Sequence, residues 1–210
     1  MSWKSDYKKI KEYRKTHKAP VDSLGAHALP KENGQIFRYQ ALISVLLSSK
    51  TRDEATAKAM GKLQKHGLNI NNILKTSESE IKELIKDVGF YNVKAKYIKN
   101  ITEVLHNDYN DDIPKTIKEL LRLKGIGPKM STLIMLITWN KITGISVDSH
   151  IHRIVNVLGW VDTKNAKETK DALEQIVPRK YWREFNRILV GFGQLMKSSK
   201  NIKEFFQGRC

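Results

Sequence analysis

Within seven residues, Leu123-Lys124-Gly125-Ile126-Gly127-Pro128-Lys129 joins a tight glycine turn, a helix start and a lysine. Two glycines flanking one apolar residue let the backbone take positive φ and come close to another molecule. Pro128 suits the first helical position, where its missing N–H costs nothing. The apolar stretch that follows, 130–137, reads as a buried helix, so the unbonded N–H groups at its start point out of the turn and make a ready phosphate site. Nineteen residues beyond Lys129 stands Asp148, in Val147-Asp148-Ser149-His150, at a second helix start.

A lysine attacks as the neutral amine. The positive end of the helix dipole disfavours the ammonium at position 129, and Lys124 adds like-charge repulsion. Asp148 is favoured as the carboxylate by helix-start N–H groups, and can hold negative charge beside a developing cation or help to move protons. It is equally well placed as a plain N-cap for the helix carrying Ile151, Ile154, Val155 and Leu158, and the two roles are compatible. Without the glycine turn, Lys129 would read as one more solvated lysine.

The elements that position these groups are helical. Residues 5–17, 37–48, 51–66, 92–106, 114–123, 128–139, 148–158, 166–176 and 180–196 carry helical periodicity, and no alternating strand is apparent. Ser77-Glu78-Ser79-Glu80 is a capping box opening a further helix with Ile81, Leu84, Ile85 and Val88 on one face, which Gly89 is expected to end. Residues 17–34, with two prolines and two glycines, read as a long irregular crossing. The fold class is all-α.

At 210 residues the chain can form one generous domain or two small lobes. No apolar run approaches the roughly 18 residues that span a bilayer, so no membrane role is expected. The first residues lack the apolar core of a secretory signal, and an intracellular protein is expected. The single cysteine, Cys210, excludes an internal disulfide and any multi-cysteine zinc or iron-sulfur site. Thirty-eight Lys and Arg against 22 Asp and Glu give a formal charge of +16, which suits a polyanionic partner, nucleic acid first. A solvated lysine-rich surface explains the same number, so charge alone decides nothing.

Residues 114–139 compose a helix-hairpin-helix, and here the chain resembles the endonuclease III family of DNA glycosylase/AP lyases. The resemblance rests on Leu123 to Lys129, on Gly144-Ile145-Ser146-Val147-Asp148-Ser149-His150-Ile151-His152-Arg153, on Gly89-Phe90-Tyr91 and on Gly191-Phe192-Gly193-Gln194. It implies two helical lobes: a six-helix barrel with the hairpin unit, drawn as 30–140, and a second lobe from both chain ends, 1–29 and 141–210. It also implies a cleft between them that receives the damaged base, with Lys129 and Asp148 on opposite lobes as the catalytic pair. Gly125, Ile126 and Gly127 would bind the DNA backbone.

Phe90 would be the side chain that enters the base stack when a nucleotide is flipped out, although its position after a glycine also suits a hydrophobic contact closing a helix. Lys50, in Ser48-Ser49-Lys50-Thr51-Arg52-Asp53, matches a loop that approaches the gap left by the flipped base, where the family usually carries glutamine. Lysine only donates, so recognition of the opposite base is in question. Read plainly, Lys50 is an exposed cation before a helix. His150 and Arg153, near Asp148, could reach phosphates or simply form the polar face of their helix. Many family members close the C-terminus with four cysteines on a [4Fe-4S] cluster; this chain is expected to have neither cluster nor other metal cofactor, its last segment held by Ile202, Phe205 and Phe206.

The expected activity is excision of oxidised pyrimidines from double-stranded DNA with strand cleavage by β-elimination at damaged or abasic sites, in base excision repair. A monomer in the nucleus is expected. The alternatives are a non-catalytic helix-hairpin-helix module and a related glycosylase of altered base preference.

Overall fold

A computed structural model describes residues 3–29 and 34–208. Among these residues there are helices and no strand. None of the helices is long and apolar enough to cross a membrane. The chain divides into one compact unit of residues 23–143 and a second formed by Met1–Asp22 with Gly144–Cys210. Sequence reading drew those boundaries at 29/30 and 140/141. Cys210 lies outside the described residues.

The unit of residues 23–143 is built around α3 (Gly34–Ser48), whose residues 41–47 are all buried. A stretch this apolar has no solvent face to keep and becomes the central rod. The helices α4 (Asp53–His66), α7 (Tyr91–Tyr109) and α9 (Pro128–Trp139) pack on it. The short helices α5 (Ile70–Lys75) and α6 (Glu78–Leu84) lie against α7, and α8 (Ile117–Leu120) against α9. A two-pronged ion pair closes the bundle: Arg38 donates to Asp112 at 2.8 and 2.6 Å, with its guanidinium 4.4 Å from the centre of the Trp139 ring.

In the other unit, α10 (Ser149–Val157) packs on α11 (Ala166–Ile176), α12 (Trp182–Leu195) and α13 (Ser199–Phe206), and α1 (Trp3–Thr16) packs on α12. Its core sets aromatic rings among aliphatic side chains. Tyr7 stacks on Phe185 at 5.3 Å, and Tyr13, Phe192, Phe205 and Phe206 meet edge to face at 5.0–6.5 Å.

Three expectations change. The helix begun at Ser77 ends at Leu84, so Gly89 does not terminate it; Ile85 and Val88 stay buried in a following turn. The first hairpin helix has four residues, because the Thr116 side chain caps it late, by accepting from Glu119 N–H. The irregular crossing contains α2 (Pro20–Leu24) and a 3-10 turn, Ala26–Ala28.

Candidate functional site

The hairpin between α8 and α9 is a chain of tight turns. Leu123 N–H donates to Leu120 O and Ile126 N–H to Leu123 O, both at 3.1 Å. Gly125 has φ 84, and a Cβ there would lie 2.4 Å from Tyr97 Cδ2, so this glycine is demanded twice over: by its backbone and by the ring beneath it. Ile126 is 5 % exposed. With its side chain in the core and its N–H bonded to Leu123 O, it anchors the hairpin from within.

Gly127 differs. Its φ of −100° suits any residue, and a Cβ there would meet nothing within 4 Å. Nothing inside the chain asks for glycine at 127, whereas a second molecule pressed against the backbone would. Gly127 is also the N-cap of α9, Pro128 follows at the first helical position, and Lys129 is exposed in the first turn. The expected assembly of turn, helix start and lysine is therefore present.

Two further loops lie in the same unit. Lys50 (φ 52) and Phe90 (φ 58) are both left-handed, which costs side-chain-bearing residues roughly 1–2 kcal/mol each. Phe90 is 63 % exposed, so it is not the buried contact that closes a helix. The Lys50 ammonium lies 5.2 Å from the centre of its ring. Between them and the hairpin opens a cavity of about 180 Å³, lined by Leu46 and Met130 on its apolar side and by Lys50, Phe90, Lys94 and Tyr97.

Sequence reading passed over the groups that hold these loops. Lys94, only 5 % exposed, donates to Leu47 O at 2.7 Å, Ser49 O at 2.6 Å and Thr51 Oγ1 at 3.0 Å. Burial pushes its ammonium down to about 8. Thr51 Oγ1 also accepts from Gly89 N–H at 3.1 Å. The missed signal was periodic: Lys94 stands in the buried stripe of α7 with Ile98, Ile101, Thr102 and Leu105.

Asp148 belongs to the unit formed from both chain ends. It is the N-cap of α10, its Oδ1 accepting from Ile151 N–H at 2.8 Å, with the buried Val147 before it. His150 packs on Gly193, where a Cβ would lie 2.7 Å from its own. Arg153 is committed within its unit: it donates to Lys197 O at 2.6 Å, Met196 O at 2.8 Å and Gly193 O at 2.9 Å, capping the end of α12. Three carbonyls at this distance give the guanidinium a structural task at the end of α12. Lys99 does the same for the end of α5, donating to Ile73 O, Leu74 O and Thr76 O at 2.9–3.1 Å. Part of the chain's positive charge is thus used inside the fold.

The sequence matches the HhH-GPD superfamily of base excision DNA repair proteins over residues 43–179, which spans the hairpin, Lys129 and Asp148. The chain is similar to endonuclease III-like protein 1 of Gallus gallus, 44 % identical over 197 residues, covering 92 % of this chain and 70 % of that protein. It is likewise similar to the Bos taurus protein of the same name, 45 % identical over 196 residues, covering 91 % of this chain and 64 % of that protein. The chain spans about two thirds of the length of these vertebrate relatives. Its fold is that of an endonuclease III trapped as a covalent intermediate on DNA, with TM-score 0.78 at 22 % identity over 94 % of this chain and 89 % of that one. Gly125 seated on Tyr97, Pro128 opening α9 and the matched stretch around them lead to one conclusion: the chain belongs to the HhH-GPD superfamily of base excision DNA repair proteins and, within it, to the endonuclease III family of DNA glycosylases.

Proposed function

We propose that this chain is a bifunctional DNA glycosylase/AP lyase acting on oxidised pyrimidines in double-stranded DNA, with Lys129 as nucleophile and Asp148 as its acidic partner. The observation that carries the reading is the exposed Lys129 in the first turn of α9, directly after a glycine hairpin that leaves its backbone open at Gly127. Backbone N–H groups at that helix start offer a phosphate its natural seat.

The chemistry balances on one amine. Neutral Lys129 Nζ attacks C1′ of the damaged nucleotide, the C1′–N bond breaks, and the base leaves with the bonding pair and takes up a proton. The C1′–O4′ bond then breaks, O4′ taking up a proton as the nitrogen gives up its remaining one, and the Schiff base forms. That imine acidifies the C2′ proton; its removal expels the 3′ phosphate, and water releases the amine. Asp148, as carboxylate, stabilises the oxocarbenium-like sugar or carries protons to and from the amine.

The chain's residues do not fit a [4Fe-4S] cluster, which needs four thiolates where this sequence has one cysteine. In our reading the C-terminal segment is held instead by ring packing of α13 on Phe192 and Tyr13, and by Lys9, which donates to Phe205 O at 2.9 Å from above the Phe205 ring.

Borohydride added during reaction with abasic-site DNA tests the nucleophile. The wild type should be trapped as a covalent adduct, and Lys129→Ala should abolish it. A folded wild type that binds DNA but gives no adduct would refute the lysine nucleophile and favour a non-catalytic DNA-binding module.

A further inference from the structure

Two strained turns lie side by side in the unit of residues 23–143, and neither is explained by core packing. Lys50 ends the turn after α3 with positive φ and an exposed side chain; Phe90 opens α7 with positive φ and a largely exposed ring. Left-handed conformations in side-chain-bearing residues persist where the surroundings over-determine them. Those surroundings can be named. The Lys94 ammonium has three N–H bonds to give, and gives all three within residues 47–51: to Leu47 O, Ser49 O and Thr51 Oγ1. Leu47 O belongs to the last turn of α3, so a buried cation sits where the helix carbonyls are unpaired.

The Thr51 hydroxyl carries the connection onward. The same oxygen accepts from Lys94 and from Gly89 N–H, the residue immediately before Phe90. The approach is close enough that a Cβ at Gly89 would lie 2.6 Å from Lys50 O. Burying a lysine among neutral acceptors is costly, and here the cost is met at one place only: the junction between the two turns.

We propose that Lys94 and Thr51 form a clasp joining the Lys50 and Phe90 turns, so that the two side chains enter a duplex as one rigid unit when a nucleotide is everted. Both are positioning residues; neither touches the reacting atoms. The inference rests on reading Phe90 as the side chain that enters the base stack. Preorganisation matters here because eversion needs unstacking energy of a few kcal/mol, which a floppy probe cannot supply.

The test compares Thr51→Val, Thr51→Ser and Lys94→Met with wild type on a duplex holding dihydrouracil beside 2-aminopurine, whose fluorescence rises when its neighbour leaves the stack. Thr51→Val keeps the shape and loses the oxygen; Thr51→Ser keeps the oxygen. Thr51→Val and Lys94→Met should lose most of the fluorescence rise and excise the paired lesion about tenfold more slowly. Their borohydride trapping on abasic-site DNA, where no base must be unpaired, should stay within about twofold of wild type. Thr51→Ser should match wild type in all three readings.

The proposal is overturned if Thr51→Val everts and excises normally, if Thr51→Ser is as impaired as Thr51→Val, or if trapping and excision fall together. Should Lys94→Met fail to fold, the two Thr51 variants decide alone. The fluorescence rise does not depend on Lys129, so a wild type that everts the base but is never trapped would refute the nucleophile and leave the clasp standing.

Discussion

Each of the two units buries a cation, and they do so by opposite means. Arg14, 7 % exposed on α1, has a carboxylate partner: it donates to Asp22 at 2.5 Å and to His17 O. Burial alone would raise the Asp22 carboxyl, but its bonds to Arg14 and to Ala19 N–H outweigh that and hold it below the usual carboxylate range. This arrangement ties down the chain after α1. Lys94, 5 % exposed on α7, is bonded to carbonyls and a hydroxyl. It holds a loop in a conformation the loop would not choose. The first cation serves the fold; the second serves the shape of a surface that we assign to DNA. The cores differ as well: the unit made from both chain ends carries a network of rings among its aliphatic residues, while the bundle behind the hairpin is almost wholly aliphatic.

If ring packing takes over the work of a metal cluster, the largest effect should come from Phe192. It is fully buried, and its ring centre lies 5.1 Å from Phe205 and 6.1 Å from Tyr13. Phe192→Ala should cost about 3–5 kcal/mol, and Phe192→Leu distinctly less, because it loses the edge-to-face pairs but keeps most of the volume. Thermal melting should show the alanine variant lowered by on the order of 10 °C, while a chelator leaves the wild-type midpoint unchanged. A midpoint that falls on chelation would break the comparison at its root.

Much of this contrast was legible before any coordinates. The helices α9 and α11 have the bounds their sequences announce, because Pro128 and Asn165 mark their starts chemically: one fits the first helical position, and the other accepts from the N–H groups of Lys167 and Glu168. The hairpin turn and the helix starts beside Lys129 and at Asp148 were legible as local motifs. What escaped was non-local or too short. The eight-residue α13 is defined by rings from α1 and α12 that sequence proximity cannot supply. Lys94 was one of 38 basic residues until its place on the buried stripe of α7 was weighed, and Thr51 meets Gly89 across 38 positions. Arg153 shows the converse: beside a candidate carboxylate it reads as a phosphate ligand, and its three carbonyl partners are far away in sequence.

At both sites the contribution to stability rises with pH, but in separate windows, alkaline for Lys94 and acidic for the Arg14 partner Asp22. Lys94 is lowered in the folded protein, from 10.5 to about 8, so between those values the unfolded chain binds the proton that the folded one has released. Stability contributed at this site therefore rises with pH across that window, by up to roughly 3 kcal/mol. Asp22 is lowered too, but as an acid: its contribution is present above the ordinary carboxylate range and is lost as pH falls through the folded value. Denaturant titrations from pH 7.5 to 9.5 should show the wild type gaining on Lys94→Met as pH rises. The scan stops there because burial, aided for Tyr7 by Glu184, raises the Tyr7 and Tyr39 hydroxyls, and their contribution is lost at still higher pH. A constant difference between the two proteins would mean that Lys94 binds its proton equally well in the folded and unfolded chain.

The smallest effect on stability separates the fold from its use most cleanly, and it lies within three residues. Gly125→Ala must place a methyl carbon 2.4 Å from the Tyr97 ring while keeping φ 84, so the hairpin or α7 has to shift, at about 1–3 kcal/mol. Gly127→Ala meets empty space at an ordinary φ and should cost about 0.5 kcal/mol or less, since alanine's poorer capping is largely offset by the narrower unfolded ensemble it leaves. Their order on DNA should reverse. If the backbone at Gly127 lies against a phosphate, its added methyl group will weaken binding to a duplex at least as much as the structurally harsher change at Gly125. Melting and duplex titration of the two variants read both orders at once, and a Gly127→Ala protein that binds as tightly as wild type would show that the open face of the hairpin is not where the phosphate sits.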